Sequence, residues 1–192
     1  QLLMSLEDKI NEFKEVLINN DSMICVREKI LTRGCYMISD EKEEALFKEV
    51  SEFFEVNSSN LFIIGSAKLG FSIKPGHRFR AFNDESDIDL VIVSPKLFER
   101  IWMEVYNFAQ SGEFWERKDE FIHYLSKGWI RPDKLPRANS FDFAKTWWEF
   151  FKGLTYSEKY GRYKISGALY YNRFFFESYQ RICVEQLKQK LI

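Results

Sequence analysis

Apolar positions recur at helical spacing along the first part of the chain. Leu6, Ile10, Phe13, Val16 and Leu17 share one face, with Glu7, Asp8, Lys9, Lys14 and Glu15 around the rest, which predicts an amphipathic helix over about 5–18. Asn19, Asn20 and Asp21 interrupt it, and Met23, Ile24, Ile30 and Leu31 predict a second helix that stops at Gly34. A third helix has Leu46, Val50, Phe53 and Phe54 as its buried stripe. Asp40 is its expected N-cap, because Glu43 follows at capping-box spacing; Ser39 is the alternative, without the box.

The period then shortens. After turn formers at 57–60, Leu61-Phe62-Ile63-Ile64 is a short continuous apolar run, the mark of a strand covered on both faces. Residues 66–86 mix Gly70, Pro75, Gly76 and Asn83 with Lys68, Lys74, His77, Arg78 and Arg80 and read as a basic loop. A β-branched strand follows at 87–93, and Ser94-Pro95 opens a helix with Pro in its first turn. Helices are expected at 98–108 and 114–125, a loop at 130–139, and an aromatic helix at 142–151 with Ser140 as its cap. A strand at 163–171 and a long helix at 174–191 complete the chain. The pattern predicts an α/β (α+β) fold: a small mixed sheet flanked by helices, in one domain of residues 1–192, with 1–56 a helical extension and 57–192 the core.

Composition narrows the classes. The 192 residues suit one domain of roughly 100–200 residues, and 45% hydrophobic content with 9 Gly and 4 Pro excludes a disordered or fibrous chain. Lys and Arg number 28 against 29 Asp and Glu, which argues against a nonspecific duplex-DNA binder that draws its affinity from many phosphate contacts. No apolar run approaches the roughly 20 residues of a membrane span, so a cytoplasmic protein without membrane contact is expected. Cys25, Cys35 and Cys183 lack the spacing of a disulfide framework or zinc site.

Two short segments carry chemistry. Alternation on a strand points Asp87 and Asp89 to one side while Ile88 and Leu90 enter the core. Two adjacent carboxylates repel, and a divalent cation relieves the repulsion; Mg²⁺ in particular binds one or two carboxylates together with substrate phosphates. Upstream, Gly65-Ser66 follows the apolar strand, and a Gly there lets backbone N–H groups and the Ser66 hydroxyl approach phosphate oxygens.

Ile64-Gly65-Ser66 followed by Ser86-Asp87-Ile88-Asp89-Leu90-Val91 resembles the signature of the DNA polymerase β-like nucleotidyltransferase superfamily, over about 30 residues. The resemblance implies that Gly65 and Ser66 hold the phosphates of an incoming nucleoside triphosphate, with ATP the expected one. It implies that Asp87 and Asp89 hold two Mg²⁺ or Mn²⁺ ions, and that Lys68, Ser72 and Arg78 assist the phosphates. The 21 positions from Ser66 to Asp87 exceed the spacing of compact members, and the excess is the basic loop. The superfamily's third carboxylate, the general base on a later strand, has no obvious counterpart: the 163–171 strand contains Lys164, Ser166 and Ala168 but no acid. Asp142 heads the remaining options, before Asp133, Glu120 and Glu177.

The implied activity is transfer of a nucleoside monophosphate to an RNA, protein or small-molecule hydroxyl. The size is similar to that of small bacterial transferases of toxin or phage-defence modules. Without a base, the alternative is an inactive nucleotide-binding module; if the chain is a piece of a longer one, as a first residue other than Met allows, a larger oligonucleotide or cyclic-nucleotide synthetase is the other. The aromatic segments Trp147–Phe151 and Phe174–Phe176 are expected mainly in the core, with part left to line a groove or a protein partner's surface.

Overall fold

The computed structural model describes residues 4–191. Helix α1 (Leu6–Asn19) is capped by Ser5 in a reciprocal capping box with Asp8. Helix α2 (Ser22–Cys25) starts at a cap from Asp21, continues as a π turn over Val26–Ile30 and ends at Leu31, three residues before Gly34. Helix α3 (Asp40–Phe54) is capped by Ser39, not Asp40: the Ser39 hydroxyl accepts the Lys42 N–H at 3.4 Å. The expected box at Asp40 fails because Glu43 turns inward and is buried, leaving no carboxylate to reach back.

Asn57 caps a 3₁₀ turn at Ser58–Asn60, and strand β1 (Leu61–Ile64) follows. The chain then makes α4 (Gly65–Leu69), β2 (Ile88–Val93) and α5 (Pro95–Gln110), the last capped by Ser94 with Pro in its first turn as expected. Helix α6 (Lys118–Leu125) begins four residues later than its apolar pattern suggested, because Phe114 lies outside it and is exposed. The loop expected at 130–139 contains the end of a two-residue strand, β3 (Trp129–Ile130), and a 3₁₀ turn at Pro132–Lys134. Helix α7 (Asp142–Tyr156) runs five residues past Phe151. Ser140 does not cap it; Phe141 stands at the cap position, and the Ser140 hydroxyl donates to Glu113 instead. Strand β4 (Ile165–Tyr170) and α8 (Arg173–Lys188) complete the α/β fold.

The four strands form one mixed sheet in the order β1-β2-β4-β3, with β1 antiparallel to β2, β2 parallel to β4 and β4 antiparallel to β3. Alternation along each strand separates two faces. Leu61, Ile63, Ile88, Leu90, Ile92, Ile165 and Leu169 enter the main core with residues of α3, α5 and α7. Gly167 lets α7 lie flush on that face: a Cβ there would fall 2.2 Å from the Phe151 ring and 2.6 Å from that of Trp147. The aromatic run of α7 is thus largely core, with Trp147 and Phe151 buried, Phe150 stacked on Phe53 at 4.1 Å, and Trp148 half-exposed. On the other face, Phe62, Val91, Val93 and Tyr170 are sealed by Phe176 of α8. Phe174 is exposed, and Phe175 closes over Gly128.

A further cluster joins α1 and α2 to the body. Phe13, Leu17, Cys25, Val26 and Ile30 pack with Leu69, Phe71 and Ile73 and with Val184 and Leu187 of α8. Among the described residues, no helix is long and apolar enough to cross a membrane.

Candidate active site

The site starts where β1 ends. Ile64 pairs with Asp89, and the chain turns at Gly65 with φ +69°. A Cβ on Gly65 would lie 3.3 Å from Asp89 Oδ2, so the missing side chain both permits the backbone angle and lets the turn close on the carboxylate. The short α4 that follows ends at Gly70, φ +89°.

Residues 70–82 form a pinned hairpin rather than a loose basic loop. The Phe82 N–H donates to the Gly70 carbonyl at 2.9 Å, the Ser72 N–H to Arg80 at 2.9 Å and the Phe79 N–H to Ser72 at 2.7 Å. Alternation divides its side chains. Phe71, Ile73 and Phe79 pack into the cluster under α1 and α2, whereas Ser72, Lys74, His77 and Arg80 line a cleft that also contains Ser66, Asp87 and Asp89. Phe79 takes φ +62°, a strained value for a bulky residue, held by Phe71 at 5.9 Å and by the Lys14 ammonium 4.4 Å from its ring centre.

Asp89 is partly buried at the cleft floor. Burial pushes its carboxyl above the usual carboxylate range, an effect offset in part by Lys74, whose ammonium is 3.8 Å away, and by Ser166. The Ser166 hydroxyl donates to Asp89 Oδ1 at 2.9 Å from the paired position on β4. Asp87, just before β2, accepts from the Lys164 ammonium at 2.8 Å. The face of β4 toward the pair therefore offers an ammonium and a hydroxyl, and among the described residues no three acidic, His or Cys side chains converge in a way that could hold a metal ion. Asp87 and Asp89 are hard oxygen donors, the ligand type that Mg²⁺ takes together with substrate phosphates, and each has a lysine ammonium beside it.

The cleft, about 320 Å³, is at the small end of ligand sites, roughly 300–1,000 Å³. Of the residues singled out in the sequence, Gly65, Ser66, Ser72, Asp87 and Asp89 meet here. Lys68 does not. It is buried, and its ammonium donates to the carbonyls of Thr32, Arg33 and Gly34, the groups left over after the π turn. Arg78 is not among the cleft-lining residues; its Nε is buried without a partner, while Arg80, two positions on, faces the cleft. Asp142 lies at the start of α7 and lines a separate cavity of about 610 Å³ with Pro132, Arg137 and Trp148, not the cleft of Asp87 and Asp89.

Lys74, Arg80, Glu85, Lys164 and Ser166 are the site residues that the motif did not supply. The signal for the first two was the two-residue alternation within 71–74 and 79–80. Glu85 stands over an Asn83–Ser86 turn in which Asn83 Oδ1 accepts the Glu85 N–H at 3.0 Å. No protein-family model, curated protein or solved structure matches the chain.

Proposed function

We propose that the cleft binds a nucleoside triphosphate with Mg²⁺ and carries out nucleotidyl transfer. The observation that carries this reading is the closure of the Gly65–Ser66 turn on Asp89, 3.3 Å from the position of a Gly65 Cβ, beneath a wall of Lys74, His77 and Arg80. Such a pocket is bipolar: cations for phosphate oxygens and carboxylates for a cation that accompanies them.

Lys74 and Arg80 hold the β- and γ-phosphates, and Arg80 can grip two oxygens at once with its planar guanidinium. The Ser66 hydroxyl and adjacent backbone approach the phosphates because Gly65 keeps the turn bare. Asp87 and Asp89 would hold the divalent cation, which when bound would supply Lewis-acid neutralisation of charge on the phosphates. Pyrophosphate leaves along the cationic wall.

A second reading, a nucleotide-binding module without transfer, is favoured by one observation: Lys164, just before β4, and Ser166 within it face the pair where the resemblance calls for a carboxylate. Incubation with ATP labelled at the α-phosphate, Mg²⁺, and cellular RNA and protein separates the two. Label transfer that Asp87→Ala abolishes supports the transferase; tight ATP binding with no transfer supports the binding module.

A further inference from the structure

We infer that the acceptor is a phosphomonoester rather than a free hydroxyl, an inference that rests on the transfer reading above. In the sheet, β2 with its carboxylates lies between β1 and β4. The groups suited to a triphosphate come from the β1 side, through the Gly65–Ser66 turn and the hairpin with Lys74 and Arg80. The acceptor then approaches from the β4 side, and register fixes what it meets there. Asp89 stands opposite Ser166, and the Ile88 N–H donates to the Lys164 carbonyl at 2.8 Å, which sets Lys164 beside Asp87.

Neither Lys164, just before β4, nor Ser166 within it can take a proton from an attacking hydroxyl. Lys164 is an ammonium bonded to Asp87, and Ser166 spends its hydroxyl as a donor to Asp89. A positioned base contributes about 10²–10⁴-fold to attack by a hydroxyl, so its absence on this side disfavours that acceptor. The cleft's other proton acceptors, His77 and Glu85, come from the segment between α4 and β2 and not from the β4 side chains that face the carboxylate pair.

A phosphomonoester needs no base. It carries about −1.5 to −2 charges at pH 7, so its oxygen is already an anionic nucleophile. Lys164, whose side chain is 63% exposed, is free to swing from Asp87 and receive it through charge-assisted hydrogen bonds. An oxygen of the acceptor phosphate bonds to the α-phosphorus of the nucleotide as the bridging α–β P–O bond breaks. The bonding pair leaves with pyrophosphate, the product is a phosphoanhydride, and no proton is transferred.

The test pairs acceptors that differ only in the phosphate: glycerol 3-phosphate against glycerol, and a 5′-phosphorylated against a 5′-hydroxyl oligoribonucleotide, each with α-labelled ATP and Mg²⁺. Label is expected on the phosphorylated member of each pair with at least about tenfold preference. Ser166→Asp, which puts a carboxylate opposite Asp89, narrows that preference by activating the hydroxyl acceptors. A calorimetric readout accompanies the assay: with non-reactive α,β-methylene ATP bound, glycerol 3-phosphate binds the native protein and binds Lys164→Gln at least about fivefold more weakly. Equal labelling of hydroxyl acceptors, or unchanged glycerol 3-phosphate binding by Lys164→Gln, overturns the inference while leaving the transfer reading in place. ATP binding without transfer to either class, or failure to bind ATP at all, overturns the transfer reading and the inference with it.

Discussion

On the sheet face that carries the candidate site, the two ends of β2 are built from opposite materials. Toward the C-terminal end, Val91 and Val93 lie with Phe62 and Tyr170 under Phe176 of α8, and all five are buried. Toward the N-terminal end the corresponding positions are Asp87 and Asp89, facing Lys164 and Ser166 across to β4. Farther along α8, Val184 and Leu187 pack with α1, α2 and the 70–82 hairpin, so the hairpin and not the helix roofs the polar end. One half of the face spends its side chains on burial, while the other keeps charged groups paired at a cost in desolvation and leaves them open to a ligand. The candidate site lies where the covering helix gives way to a cationic strap.

Substitutions on the two halves should therefore separate activity from stability. The largest effect is expected for Asp87→Ala, which lowers transfer on the order of 10²–10³-fold in the labelled-ATP assay while thermal melting changes little. Phe176→Ala is its mirror image. Emptying that buried ring site costs about 3–5 kcal/mol and lowers the melting temperature on the order of 10 °C, read by calorimetry. Loss of transfer without loss of fold in the second variant, or the reverse in the first, breaks the contrast.

The two lysine and arginine environments give a smaller, sharper comparison. Arg80→Ala is expected to weaken ATP binding about tenfold, the worth of one charge-assisted contact of roughly 1.5 kcal/mol, and to leave melting unchanged. Lys68→Met is expected to do the opposite, because the Lys68 ammonium is committed to three backbone carbonyls. The orphaned carbonyls cost about 1–3 kcal/mol each where buried, so melting falls while ATP affinity holds. Gly65→Ala should show both effects at once. It strains a φ of +69° and presses on Asp89, costing about 1–2 kcal/mol of stability and measurable ATP affinity.

The smallest expected effect concerns pH. Burial holds the Asp89 carboxyl above its ordinary 3.8, so the folded chain keeps a proton that the unfolded chain has released. Stability contributed by this group falls as pH rises from that ordinary value through the folded one, and the cost persists at neutral pH. Asp89→Asn, with no charge to bury, should be more stable than the native protein at neutral pH by roughly 0.5–2 kcal/mol and should lose that part of the acid-side slope. Denaturant titrations across the range check it.

How much of this was legible follows from how local each feature is. The apolar run of β1, the Gly65–Ser66 turn and the alternation of Asp87, Ile88, Asp89 and Leu90 are statements about neighbouring residues, and the sheet realises them. What misled was chemistry settled by partners far along the chain. Lys68 looks like a phosphate ligand beside a Gly-Ser turn until the carbonyls at the end of the π turn, more than 30 residues earlier, claim it. Arg78 and Arg80 are equivalent in a basic loop; only the hairpin's pairing of Ser72 with Phe79 and Arg80 decides which one faces the cleft. Residue type alone makes Asp142 a candidate third carboxylate, but a sequence does not show which cavity a residue lines, and Asp142 lies beside a different one. The strand order brings Lys164 and Ser166, visible in the sequence only as a strand without an acid, against the carboxylate pair.

If the polar half of the face is a site for a metal-bearing nucleoside triphosphate, calorimetric titration of ATP, with and without Mg²⁺, into the native protein and into Asp89→Asn will show it. Mg²⁺-dependent binding is expected for the native protein, with loss of binding in a variant that melts no lower. Equal binding by both, or binding indifferent to Mg²⁺, would contradict it.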